Sequence, residues 1–137
     1  MERLPVKYVL DTHVWVWWQM NPKKLSPRVR TLLNNPDHYS ELLLSAISAW
    51  EFSKLLEKKR IGISCDPEEW FRVALEMPKL RLVPLTPTLS YRSTTLPQPF
   101  HGDPADQIIV ATAREENATV LTKDSLIRQY KHVRTLW

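Results

Sequence analysis

Short apolar runs alternate with longer segments of mixed polarity along the chain of 137 residues. Apolar runs of four to eight residues bounded by polar residues are typical of buried β-strands. The second run is rich in leucine and would also suit a helix. The pattern predicts strands at Lys7 to Leu10, Leu42 to Ser45, Leu80 to Val83, Thr119 to Leu121 and, at the last edge, Val133 to Trp137.

Helix boundary signals stand between these runs. Ser26 followed by proline fits an N-cap and first helical position, and Asp66 followed by proline and two glutamates fits a second. Pro78 and Asn117 mark the ends of two helices. A third helix is predicted from Ile47 to Lys58.

Strands that alternate with helices predict right-handed crossovers and an α/β fold. We expect a central, mostly parallel sheet of four to five strands with helices on both faces. No repeat, low-complexity segment or Gly/Ser linker divides the sequence, so residues 1–137 are predicted to form a single domain. Ligands of such sheets bind outside the carboxyl ends of the strands.

The composition excludes several classes of site. With only Gly62 and Gly102, the chain cannot supply a Walker phosphate loop or a dinucleotide-binding turn, which need several glycines in one short segment. The lone Cys65 can form neither an internal disulfide nor a zinc knuckle, and the four histidines lack metal-ligand spacing. Any bound metal must therefore be held by oxygen.

Charge and hydropathy add weaker constraints. The net charge of +4, from 19 basic and 15 acidic residues, favours contact with polyanions without requiring it. We find no signal-peptide pattern and no stretch approaching about 18 consecutive apolar residues. The expectation is a cytoplasmic protein that makes no membrane contact.

Acidic residues stand where the predicted strands end. Asp11 follows the first strand directly, and Asp124 comes shortly after the fourth. Each could simply cap the following helix, since Asp is a preferred N-cap. If both strands are central and parallel, however, the two carboxylates lie on one edge of the sheet.

Two further acids occupy helix faces that should be partly buried. Glu51 lies between Ile47 and Leu55 at helical spacing, and Asp106 shares a side with apolar residues of its own helix. Asp106 could instead favour the helix dipole as a first-turn acid, and Asp103 before proline fits an N-cap. Together, four or five carboxylates on one edge would repel one another unless a hard divalent cation, Mg²⁺ or Mn²⁺, were bound. Such a site can cleave phosphodiesters.

Four motifs in order then resemble those of a known family. They are Leu-Asp-Thr-His at 10–13, Ser-Ala-Ile-Ser-Ala-Trp-Glu at 45–51, His-Gly-Asp-Pro-Ala-Asp at 101–106 and Leu-Thr-Lys-Asp at 121–124. The sequence resembles PIN-domain ribonucleases, specifically the VapC-type toxins of toxin–antitoxin pairs, over nearly its whole length.

This resemblance implies a PIN-like fold and an Mg²⁺- or Mn²⁺-dependent endoribonuclease that leaves 3′-hydroxyl and 5′-phosphate ends. It also implies a homodimer and a small antitoxin whose C-terminal segment occupies the active-site groove, in complexes that can be larger. By resemblance, Asp11 and Asp106 ligate the metal, and Asp124 and Glu51 complete the catalytic set directly or through water. Asp103 is a further acid of the cluster, and Thr12 and Thr122 help to orient carboxylates or water.

The sequence departs from the subgroup pattern His-Arg-Asp-Pro-Phe-Asp-Arg at three positions. Gly102 replaces the first arginine, Ala105 the phenylalanine and Gln107 the second arginine. The acids are kept, so the departures concern contacts with substrate or antitoxin rather than metal binding.

Basic and aromatic residues near the acids have two interpretations. Lys54, Lys58, Lys59 and Arg60 suit a solvated helix end, or a patch that follows RNA phosphates, to which Lys23, Lys24, Arg28 and Arg30 could add. Trp15 and Trp18, one helical turn apart, fit a core or an interface better than a base-stacking surface, and Trp17 points elsewhere. A general-base role for His13 is unnecessary beside a metal site.

Two other classes of function compete with the nuclease. A catalytically silent PIN-fold module that binds RNA or protein would have no physical reason to keep a repulsive acidic cluster. An aspartyl-phosphate phosphatase would need a second Asp where His13 stands. A receiver domain would need an acidic pair near the first strand and a lysine after the last, and the sequence offers no convincing set.

Overall fold

The computed structural model describes residues 6–137 and contains a five-stranded sheet in which every pairing is parallel. The strand order is β3-β2-β1-β4-β5. The predicted α/β fold with a parallel central sheet is confirmed. The strands are β1 (Lys7–Leu10), β2 (Glu41–Ser45), β3 (Leu80–Val83), β4 (Thr119–Leu121) and β5 (Thr135–Leu136).

The last strand is shorter than predicted. Only Thr135 and Leu136 pair with β4, whereas the sequence favoured the whole segment from Val133 to Trp137. This strand lies at the edge of the sheet and has a single neighbour, the three-residue β4, so few backbone partners are available to extend the pairing.

Helices connect the strands, and their ends follow the predicted capping signals. Ser26 accepts a hydrogen bond from the Val29 amide, and Asp66 accepts one from the Glu68 amide. Asn117 ends its helix in the left-handed conformation, with φ at 53°. Within residues 6–137 the α-helices are α1 (Thr12–Met20), α2 (Pro27–Leu33), α3 (Ala46–Glu57), α4 (Pro67–Leu75), α5 (Pro87–Thr94), α6 (Pro104–Glu116) and α7 (Ser125–Gln129).

The sheet separates two apolar cores because successive residues of a strand point to opposite faces. Val9, Leu43 and Val120 pack with α5, α6 and α7 on one face. The residues adjacent to these in the strands contact α1, α2, α3 and α4 on the other face; they are Leu10, Leu42, Leu44 and Leu121. Helices therefore cover both faces of the sheet, as predicted.

The central strand β1 and its neighbour β4 end at the same edge of the sheet. Leu10 of β1 is in register with Leu121 of β4, and the Asp11 amide donates to the Leu121 carbonyl at 3.1 Å. The residues that follow these strands, Asp11 and Thr122, therefore start their loops side by side. In the described part of the chain no helix is long and apolar enough to cross a membrane.

Removing a core leucine tests this layer arrangement. Leu43 is fully buried in β2, so Leu43→Ala should lower the free energy of unfolding by about 2–5 kcal/mol in urea titrations. Leu82→Ala is the matched control, because Leu82 lies in the edge strand β3 with 43% of its surface exposed, and should cost less than about 1 kcal/mol. Equal losses in the two variants would contradict the assigned cores.

Candidate active site

Asp11 is a buried carboxylate at the carboxyl end of β1. It is only 4% exposed, and its two oxygens have different partners. Oδ1 accepts a hydrogen bond from the Thr12 amide at 2.7 Å, which makes Asp11 the N-cap of α1. Oδ2 accepts one from the buried Thr122 hydroxyl at 2.6 Å. These two bonds fix the orientation of the Asp11 carboxylate.

A chain of hydroxyl groups links α1 to α3. Thr12 donates its hydroxyl hydrogen to Oε1 of Glu51 at 2.5 Å. The fully buried Ser48 hydroxyl lies 2.8 Å from the same Thr12 oxygen. Since the Thr12 hydrogen is engaged by Glu51, Ser48 donates to Thr12. Sequence reasoning missed Ser48, although its position one helical turn before Glu51 placed it on the same face of α3.

Two acids stand at the start of α6, Asp103 as its N-cap and Asp106 in its first turn. Asp103 caps this helix by accepting from the Asp106 amide at 2.9 Å, so the predicted N-cap is present. Oδ2 of Asp106 lies 2.6 Å from Nε2 of His101. His101 belongs to the third motif, but sequence reasoning gave it no role.

Asp124 completes the acidic group from the start of α7. Its carboxylate accepts from the Ile127 amide at 3.0 Å, and its own amide donates to the Thr122 hydroxyl at 2.9 Å. Thr122 therefore contacts both Asp11 and the loop that holds Asp124. Asp11, Asp103 and Asp124 therefore each cap a helix, and they also line one cavity.

One open cavity of about 700 Å³ brings these acids together. It lies at the carboxyl edge of the sheet and is also bordered by cations and by two indole rings, those of Trp17 and Trp50. Of the basic residues proposed from sequence, four do not line the cavity: Lys23, Arg28, Arg30 and Lys59. The lining acids are Asp11, Glu51, Asp103, Asp106 and Asp124, and the lining cations are Lys24, Lys54, Lys58 and Arg60.

Burial and crowding change the acidity of two lining carboxyls. The pKa of Asp106 rises to about 6, mainly because burial penalises its charge and further because Asp11, Asp103 and Asp124 lie nearby, while the His101 contact opposes the rise. The pKa of Glu51 is also raised, first by burial and then by Asp11 and Asp103, against the Thr12 hydrogen bond. The cavity is therefore electrostatically unfavourable when all its acids are charged.

His13 connects α1 to the loop after β4. Its Nε2 accepts a hydrogen bond from the Lys123 amide at 3.0 Å, so the neutral ring carries its hydrogen on Nδ1, which lies 3.5 Å from Oδ2 of Asp11. Burial lowers the pKa of His13 despite the neighbouring Asp11 and Asp124.

The donor set of the cavity fits a hydrated divalent cation. All five acids offer oxygen, which Mg²⁺ and Mn²⁺ prefer, and a cation would relieve the repulsion that raises two of the pKa values. Across residues 6–137 no group of three or more His, Cys, Asp or Glu side chains is already arranged to hold a metal. Mg²⁺ keeps several waters and needs only one or two direct carboxylate ligands, so this arrangement suffices.

Comparisons with known proteins match nearly the whole chain. Residues 8–133 match the family model of the PIN domain. Ribonuclease VapC22 from Mycobacterium tuberculosis (strain ATCC 25618 / H37Rv) is 36% identical over 131 residues, which cover 94% of this chain and 97% of the relative.

Solved structures share the fold at lower identity. A toxin–antitoxin complex from Klebsiella pneumoniae matches with a TM-score of 0.64 and 17% identity, covering 95% of this chain and 96% of that chain. VapBC2 from Rickettsia felis, bound to a DNA fragment from their promoter, matches with a TM-score of 0.66 and 17% identity, covering 96% and 99%.

The raised pKa of Asp106 predicts how stability depends on pH without metal. A folded-state pKa of about 6, above the unfolded value of about 4, means that stability falls as pH rises through that interval. In EDTA, the loss of unfolding free energy between about pH 5 and about pH 7.5 should be smaller for Asp106→Asn than for the wild type, by about 1–2 kcal/mol.

Urea titrations at the two pH values measure this difference. Asp37→Asn is the control, because Asp37 is exposed and does not line the cavity, and it should keep the wild-type pH dependence. Equal dependence in the wild type and Asp106→Asn would refute the assignment.

Proposed function

This chain belongs to the PIN-domain family and, within it, to the VapC-type ribonucleases, and we propose that it is a metal-dependent endoribonuclease acting as the toxin of a toxin–antitoxin pair. The main support is the cavity at the carboxyl edge of the sheet, where five carboxylates meet basic side chains. Negative groups suit a hard cation, and the surrounding positive groups suit the phosphates of RNA.

Asp11 and Asp106 are the proposed direct metal ligands, and Asp124 and Glu51 act directly or through water. Asp103 adds charge to the cluster and caps α6. When bound, Mg²⁺ or Mn²⁺ lowers the pKa of a water and neutralises charge on the phosphate. Hydrolysis of the phosphodiester leaves a 3′-hydroxyl and a 5′-phosphate.

The neighbouring side chains hold the acids in place. The Thr12 amide and the Thr122 hydroxyl fix the two oxygens of Asp11, so this carboxylate presents a constant face to the cavity. The Thr12 hydroxyl orients Glu51, and His101 contacts Asp106. Fixed ligands reduce the reorganisation needed when charge develops on the phosphate.

A catalytically silent binding module is the alternative within the same fold. It would not need the hydrogen bonds that orient Asp11 and Glu51 toward a common cavity. A titration of the protein with Mn²⁺ separates the two ideas, since binding that Asp11→Asn weakens supports the enzyme.

We also propose that the protein forms a homodimer, that a small antitoxin blocks the cavity, and that these chains join into larger toxin–antitoxin assemblies. The antitoxin proposal rests on family membership. The matching structure from Klebsiella pneumoniae is itself a toxin–antitoxin complex. The cytoplasm, where RNA is abundant, is the proposed location. Full RNA cleavage in the presence of a bound antitoxin would contradict the blocking role.

Asp11→Asn tests the catalytic site. Asparagine is as good an N-cap as aspartate, so the variant should fold, but it lacks the charge that a metal ligand needs. We expect Mg²⁺- or Mn²⁺-dependent cleavage of a labelled RNA to fall at least about 100-fold. Glu68→Gln, at an exposed acid outside the cavity, should cleave like the wild type. Unchanged cleavage by Asp11→Asn would refute this site.

Two adjacent lysines test whether basic residues at the cavity hold the substrate. Lys58 lines the cavity, whereas Lys59 does not. Lys58→Gln should raise KM for RNA about three- to tenfold at low salt and reduce the salt dependence of binding by about one phosphate contact. Lys59→Gln removes the same charge and should leave both measurements nearly unchanged. Equal effects would favour a general surface attraction.

A further inference from the structure

Trp50 is a large aromatic side chain left in solvent at the border of the catalytic cavity. It precedes Glu51 on α3, lines the same cavity, and keeps 58% of its surface exposed. Trp15, by contrast, is fully buried among Phe52, Trp70 and Phe71. An exposed indole beside an acidic site gains nothing from core packing, so its position requires another explanation.

The second indole of the cavity differs from Trp50 in its surroundings. The Trp17 ring packs against His13 at 4.8 Å and Trp137 at 6.1 Å between ring centroids. Among the residues that the structure describes, no aromatic ring packs against Trp50, and its one close cation is Lys54, 5.8 Å from the ring centroid. Trp50 therefore offers ring surface that a planar ligand can cover.

We propose that one base of the RNA substrate stacks on the indole of Trp50. This inference rests on the proposed ribonuclease function and adds a substrate-contacting residue to the same site. Aromatic side chains bind the faces of unstacked bases, and such faces are available in single strands and loops. In a paired helix the bases already stack on one another and present only their edges.

The charges around Trp50 fit a nucleotide better than an apolar protein segment. Lys54, Lys58 and Arg60 line the same cavity, so phosphates on either side of a stacked base meet cations. Lys54 is partly engaged by Glu57 at 2.7 Å, which holds its ammonium group beside the indole. The acids of the proposed metal site lie in the same cavity, one residue away in sequence at Glu51. A base on Trp50 therefore places the adjoining backbone near the site of cleavage.

The test compares Trp50→Ala and Trp50→Phe with the wild type on a single-stranded RNA and on the same RNA annealed to its complement. Loss of one stacked base predicts a fall in kcat/KM of about 5- to 150-fold for Trp50→Ala on the single strand. Phenylalanine retains a ring, so Trp50→Phe should stay within about threefold of the wild type. The wild type should cleave the single strand in preference to the duplex.

Tyr91→Ala is the matched control. Tyr91 is also an exposed aromatic residue, at 69%, but it does not line the cavity, so its removal should leave kcat/KM unchanged. Circular dichroism of each variant confirms that the fold is retained. A 2-aminopurine base in the single strand should change its fluorescence on binding Asp11→Asn, and this change should be lost when Trp50→Ala is added.

The outcomes separate this inference from the proposed function. A wild-type protein that cleaves no RNA with Mg²⁺ or Mn²⁺ overturns the ribonuclease and the inference together. If Trp50→Ala cleaves RNA like the wild type while Asp11→Asn is inactive, the inference alone is overturned. If Trp50→Ala in that case also no longer binds the antitoxin, Trp50 is a protein contact. Equal cleavage of duplex and single strand, or a loss that phenylalanine does not rescue, also overturns it.

Discussion

Mutual repulsion among five carboxylates is the constraint on which the arrangement of this molecule depends. Each acid would be less costly in open water, yet all five face one cavity. Backbone amides at helix starts and the hydroxyls of Thr12 and Thr122 offset part of this cost for Asp11, Asp103, Asp124 and Glu51. The raised pKa values of Asp106 and Glu51 identify where these donors are insufficient. A bound cation would relieve the imbalance that remains.

The parallel sheet is what brings the acids to one edge. Because β1 and β4 are neighbours in register, the residues after Leu10 and Leu121 emerge together, and helices α1 and α7 begin at that edge. The segments are far apart in sequence, but the Thr122 hydroxyl joins them by bonding to Asp11. The Lys123 amide adds a second link through His13. The chemistry of the cavity therefore depends on contacts between distant parts of the chain.

Local signals were sufficient for most of the fold. Strands β1, β3 and β4 have the predicted bounds, β2 begins one residue earlier, and α3 lies one residue earlier at both ends. Short apolar runs with polar borders locate the strands, and Ser-Pro or Asp-Pro pairs locate the starts of helices, so few other assignments of these elements are possible. The acids could be located because some follow strand ends and because the motifs around them resemble those of a known family. All five line one cavity in the structure.

What the sequence could not provide were orientations that depend on distant contacts. Ser48 is a donor only because α1 brings Thr12 to it. Lys58 and Lys59 are adjacent, but the backbone turns left-handed at Lys59, with φ at 56°, so helical periodicity no longer indicates where its side chain points. The exposure of Trp50 likewise depends on which face of α3 the sheet covers.

The double use of Asp11, Asp103 and Asp124 as helix caps and as cavity acids has an evolutionary consequence. Asparagine caps helices as well as aspartate does, so a single nucleotide change can replace a charged oxygen by an amide with little effect on the helix. Selection for folding therefore does not protect the charge at these positions. A copy of this protein could therefore keep its helices and its fold while the charge of the cavity is lost one residue at a time.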